Sequence, residues 1–145
     1  MREARRLTLL RRQSLIAEVA RKQALRGLAE ALETEARSHA LAERSRMLVA
    51  ASAPGAGATT GAALQARGVF TAGLARIAVS AGDAARDAAR QRAWQSESLT
   101  RAETRARRLE EMTGDARKAL EAALERREAA RAMPLARKLH SVPRD

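Results

Sequence analysis

The chain has 145 residues, a net charge of +11 and a pI near 11.6, and its only aromatic residues are one Phe and one Trp. Large side chains supply most of the burial energy of a compact core. This composition therefore excludes an ordinary aromatic-filled globule and suits long helices lined by alanine and leucine. The absence of cysteine excludes disulfides, thiolate nucleophiles and cysteine metal sites, and it suits a reducing cytoplasm.

The opening MREARRLTLLRRQSLIAEV is basic and amphipathic, as a transit peptide is. Arg11 and Arg12 interrupt any apolar core in it, and the helical pattern runs on past it, so it reads as mature protein. No apolar run approaches transmembrane length. Residues 2–26 hold eight basic residues against two acidic ones, a net +6, whereas residues 27–62 hold three against four. Such a positive pole favours anionic partners: nucleic acid, anionic lipid or an acidic protein surface. Charge alone does not choose among them.

The first run, from Arg2 to about Ala51, contains no proline and one glycine, Gly27. Alternating steps of three and four select Leu7, Leu10, Ser14, Ala17, Arg21, Ala24, Leu28, Ala31, Glu35, Ser38, Ala42, Ser45 and Val49. A second apolar set (Leu9, Leu15, Ile16, Val19, Leu41 and Leu48) lies off that stripe. One partner helix cannot cover both. The second set is either part of a wide core stripe or a face for a partner.

The break Ser52–Gly61, SAPGAGATTG, carries no charge. It lacks the Gly-Lys-Ser/Thr of a phosphate-binding loop, and no strand precedes it, so it reads as a chain reversal.

The second run, about 62–132, ends ahead of Pro134. Stepping by four and three from Phe70 gives Leu74, Ile77, Ala81, Ala84, Ala88, Gln91, Gln95, Ser98, Ala102, Arg105, Leu109, Met112, Ala116 and Ala119, onward to Met133. A 3.5-residue repeat held this long predicts a coiled coil. Glu18–Lys22, Glu33–Arg37, Glu97–Arg101 and Glu103–Arg107 have the spacing of helix-surface ion pairs. Gly114 marks a place where the helix could restart.

These runs predict an all-α fold, an elongated antiparallel two-helix coiled-coil hairpin with a longer C-terminal helix. It forms one domain, 1–145: helix about 2–51, loop 52–61, helix about 62–132 and tail 133–145. Folding near residue 57 pairs residues whose numbers sum to roughly 114. Leu10 is then expected beside Glu103 and Val49 beside Gln65, with residues beyond about 112 overhanging unpaired. No catalytic set emerges, and no cofactor or small-molecule ligand is implied. The two histidines, His39 and His140, have no companions at metal-ligand spacing. Stacking aromatics and helix-turn-helix or zinc signatures are missing too, so specific nucleic-acid readout is not expected. Trp94 reads as a packing residue.

Two stretches carry a family resemblance: LTLLRRQSLIAEVARKQALRGLAEAL at the start, and RQRAWQSESLTRAETRARRLEEM followed by ALERREAARA in the second helix. With the hairpin layout, they make the chain resemble the flagellar FliJ family, the small coiled-coil component of the type III export apparatus, over nearly its whole length. The resemblance implies a non-catalytic stalk like that of rotary ATPases, cytoplasmic and peripherally associated with the membrane export apparatus. Its helix termini would enter the ring of the hexameric export ATPase. Its tip would face the cytoplasmic domain of the export gate membrane protein, and export chaperones are a further implied partner. Arg5, Arg6, Arg11, Arg12, Arg107, Arg108, Arg126 and Arg127 are the implied ATPase-ring contacts. By the family's 4-3-4 spacing, Phe70, Leu74, Ile77 and Ala81 match one half of the gate-contact patch. Leu41 and Leu48, with Arg37 and Arg44, match the other half. The heptad pattern also puts Phe70, Leu74 and Ile77 in the seam, so seam and exposed patch both stand as readings. The alternative is a generic basic coiled coil that binds nucleic acid or anionic surfaces.

Overall fold

The computed structural model describes residues 2–53, 57 and 60–140, with side-chain surroundings as far as Ala132. The fold is an all-α helical hairpin of two helices, α1 (Arg2–Ala51) and the longer α2 (Gly61–His140). Alanine, leucine, arginine and glutamate carry little helix penalty, which explains why both runs stay helical throughout. Ser52 N–H donates to Leu48 O at 3.0 Å, closing the last turn of α1. The hydroxyl of Thr60 accepts from Ala63 N–H at 3.3 Å, an N-cap that starts α2. The reversal between them covers Pro54, Gly55, Ala56, Ala58 and Thr59, which lie outside the described residues. Helix α2 is unbroken at Gly114 and continues past position 134 to His140, beyond the end expected near 132. A proline removes one intrahelical hydrogen bond but does not oblige the flanking turns to end.

The chain divides into two compact units, Met1–Lys22 with Arg101–Asp145, and Gln23–Thr100. In the first unit Leu7, Leu10, Ala17, Leu109 and Ala116 form a buried cluster, with Ala106 and Leu120 packed on it. Ser14 Oγ lies 3.0 Å from Thr113 Oγ1 across the seam, and it donates to Leu109 O at 3.5 Å. In the second unit Arg92 Nε donates to Glu35 Oε2 at 3.1 Å, and Gln95 sits directly against Gly27. Within each unit, paired residue numbers sum to between 122 and 127 rather than to about 114.

The shift has a physical cause. The expected register set Leu10 beside the charged Glu103; the observed one buries it in the cluster with Leu109 and Ala116. The reversal is correspondingly lopsided. Gly61–Phe70, the first ten residues of α2, are all exposed, so Val49 does not meet Gln65 as expected. Overhang on α2 begins after Ala123, not near 112, and Leu124–Ala132 are exposed.

All thirteen stripe positions expected on α1, from Leu7 to Val49, are buried or half-buried. On α2 half of the expected stripe holds: Leu74, Ala81, Ala88, Gln95, Ala102, Leu109, Ala116 and Ala123 face the seam. Most of the other half is displaced by one residue. Thr71, Ala78, Ala85, Arg92, Ala106, Thr113 and Leu120 take the place of Phe70, Ile77, Ala84, Gln91, Arg105, Met112 and Ala119, while Ser98 and Leu99 are both half-buried. The repeat is still 3.5, in its other phase. Ala42, with no exposed surface, and the buried Ser45, Ala81 and Ala88 show why. Small side chains let the helices approach closely, and a seam that narrow has no room for Phe70 or Ile77.

Candidate partner-binding surfaces

The first unit is strongly basic. Its 19 Lys and Arg against 10 Asp and Glu give +9, while the second unit, with 9 against 7, carries +2. The pairing of these charges differs as well. In the second unit Arg46 bonds Glu43 at 2.5 Å and Arg92 bonds Glu35 at 3.1 Å. Arg37–Glu33, Arg86–Asp83 and Arg90–Asp87 are paired too. In the first unit Arg21 and Arg117 are paired, but Arg5, Arg6, Arg11, Arg12, Arg107 and Arg108 are exposed and make no ion pair among the described residues. Arg26, Arg44, Arg67 and Arg76 of the second unit likewise make no ion pair among the described residues. Arg126 and Arg127 are also exposed; Arg126 Nε donates to Ala122 O at 3.1 Å on its own helix. The eight arginines named from the sequence are therefore gathered in one unit and face solvent.

A groove of about 690 Å³ opens on one flank of that unit. Leu7, Ser14, Ala106 and Thr113 form its floor, and Arg11, Glu18, Glu110 and Arg117 its rim. It exists because Ser14 and Thr113 are small seam residues and Gly114 has no side chain. Glu18 pairs with Arg21 at 2.8 Å rather than with the expected Lys22. That hydrogen bond holds the Glu18 carboxyl below its ordinary range and raises the Arg21 guanidinium. Glu3, hydrogen-bonded to its own backbone, is held low as well. Among the described residues no three His, Cys, Asp or Glu side chains gather where a metal ion would sit.

The second unit presents an apolar flank instead. Phe70 (61% exposed) and Ile77 (57%) on α2 stand just outside the seam, and Leu41 (56%) and Leu48 (51%) occupy the matching positions on α1. The two readings of Phe70 and Ile77 thus resolve to the exposed patch. Leu74 is half-buried and Ala81 is buried in the seam, so neither is free to meet a partner. Arg37 and Arg44 are exposed, with Arg37 tied to Glu33. Trp94 is 58% exposed, not packed as expected.

The same flank continues into a groove of about 190 Å³ lined by Gly27, Glu30, Ala31, Thr34, Ala88, Gln91 and Gln95. Only the bare Gly27 hinted at it in the sequence. Neither groove was legible from heptad counting, because both depend on which phase of the repeat α2 adopts. Among the described residues no helix is long and apolar enough to cross a membrane. Comparison with family models, with curated proteins and with solved structures yields no match to this chain.

Proposed function

We propose that this chain is a non-catalytic, cytoplasmic stalk and coupling component of flagellar type III export, peripheral to the membrane. Its basic unit engages the acidic inner surface of the hexameric export ATPase. Leu41, Leu48, Phe70 and Ile77 engage the export gate, and export chaperones are a further partner. One observation carries the reading: the first unit holds +9 of the net charge, with Arg5, Arg6, Arg11, Arg12, Arg107 and Arg108 exposed and outside any ion pair among the described residues, while the second carries +2 and five of its nine arginines are paired with acidic neighbours. Charge left unpaired on a rigid helical surface steers association with an anionic partner. The test is stimulation of the ATPase by the purified chain. Replacing Arg5, Arg6, Arg11, Arg12, Arg107 and Arg108 by Gln should abolish it; unchanged stimulation would refute the assignment.

The +9 unit also supports a second reading, a basic coiled coil that binds nucleic acid or anionic lipid non-specifically. Affinity for any DNA that falls steeply with salt, with no effect on the ATPase, would select it.

A further inference from the structure

We propose that the apolar flank of the second unit is a self-association surface, on which a second copy of this chain docks antiparallel to make a four-helix bundle. In a two-stranded coiled coil the positions flanking the seam are ordinarily charged. Here they read Gly27, Thr34, Leu41 and Leu48 on α1 and Phe70, Ile77, Ala84 and Gln91 on α2, without one charge in a chain that is 31% charged. Such a strip is expected where more helices cover it, not where water does.

A second copy is the occupant for three reasons. Charge is the first: the eight strip positions carry no charge, the one charged residue lining the groove is the acid Glu30, and the unit carries only +2 of the +11, so this is where two strongly basic chains can meet. Shape is the second. The flank holds a raised apolar patch (Leu41, Leu48, Ile77, Phe70) and a groove floored by Gly27, Ala31 and Ala88. A two-fold axis crossing the strip near Ala84 lays Leu48 over Gly27, Leu41 over Thr34 and Ile77 over Gln91 of the other copy, each contact occurring twice. Area is the third. The strip from Gly27 to Leu48 is about 30 Å long and two helices wide, giving roughly 600 Å² per copy, close to the ~800 Å² of a standard interface. The dimer would occupy residues assigned above to the export gate, so the two associations exclude each other.

The test uses the full chain alone, with no ATPase or gate protein, so its failure is separate from failure of the stalk reading. Sedimentation equilibrium should give twice the 15.7 kDa chain mass at high concentration. Leu48→Arg with Ile77→Arg should raise the dissociation constant by at least about tenfold while circular dichroism stays helical. Val79→Arg, an equally exposed site on the far side of α2, should change nothing. Because the chain has no cysteine, Ala84→Cys supplies a single thiol, and a short bis-maleimide should join it to its counterpart. A monomer at every concentration overturns the proposal, as does a dimer indifferent to the paired substitutions. A dimer whose Ala84→Cys form does not cross-link overturns the antiparallel arrangement.

Discussion

Glu35 on α1 and Arg92 on α2 form an ion pair at 3.1 Å across the seam. Both occupy positions where the 3.5 repeat calls for an apolar residue, and only one register brings them together. A polar pair at seam positions specifies register more than it adds stability. Charge reversal at one partner, Glu35→Arg, should destabilise the second unit by about 1–2 kcal/mol in urea unfolding. Exchanging both, Glu35→Arg with Arg92→Glu, should recover most of the loss. Failure of the exchange to rescue would mean that the pair does not set the register.

The phase of α2 is checked by substitutions that the two phases rank oppositely. With Ile77 outside the seam and Ala78 in it, Ile77→Ser should change the stability of the single chain, measured below the concentration at which two copies associate, by less than about 0.5 kcal/mol. Ala78→Glu should cost about 2 kcal/mol or more, because it drives a charge into the contact. Ala42→Leu, at a site with no exposed surface, should cost about 1–3 kcal/mol by overpacking. Chemical denaturation of the three variants measures all of these.

Glycines in α2 offer a gain. A Cβ added at Gly82 or Gly114 would meet nothing within 4 Å. Gly82→Ala and Gly114→Ala should therefore each stabilise by up to about 1 kcal/mol, through helix propensity alone. At Gly27 an added Cβ would lie 2.9 Å from Gln95 Oε1, so the amide must swing aside and the gain should be smaller. Melting temperatures of the three single variants give the order.

The Glu18 carboxyl is held below its ordinary value by its hydrogen bond to Arg21. A depressed folded-state pKa contributes stability above the unfolded value of 4.5 and loses it as pH falls through the folded value. Acid should accordingly weaken the first unit below about pH 4.5. Arg21→Gln should return the Glu18 titration, followed by carboxyl NMR, toward its ordinary position. An unshifted Glu18 in the unaltered chain would contradict the pairing.

The α1 seam was legible in full, because its leucines and alanines recur at one spacing against a charged background. On α2 the same spacing found every seventh residue and misplaced most of the rest, Ser98 excepted. A 3.5 repeat through Leu74 and Ala81 can pass through Ile77 or Ala78, and hydrophobicity favours Ile77. Close helix approach favours alanine, and packing decided the matter. Register was misread for a related reason. A symmetric reversal looks cheapest from the sequence, yet burying Leu7 and Leu10 with Leu109 outweighs leaving three turns of α2 exposed. The basic unit could be read from composition. Which arginines are neutralised could not, since an acid three residues away competes with one four away, as Arg21 and Lys22 compete for Glu18.

The central claim is that unpaired charge in the first unit engages an acidic ATPase ring. The most direct measurement compares two charge-neutralised chains for binding to the hexameric export ATPase at physiological salt. One carries Gln at Arg5, Arg6, Arg11, Arg12, Arg107 and Arg108; the other carries Gln at Arg37, Arg46, Arg86 and Arg90. The account predicts that the first loses binding and the second keeps it. Equal binding by both, or loss in the second alone, would contradict it.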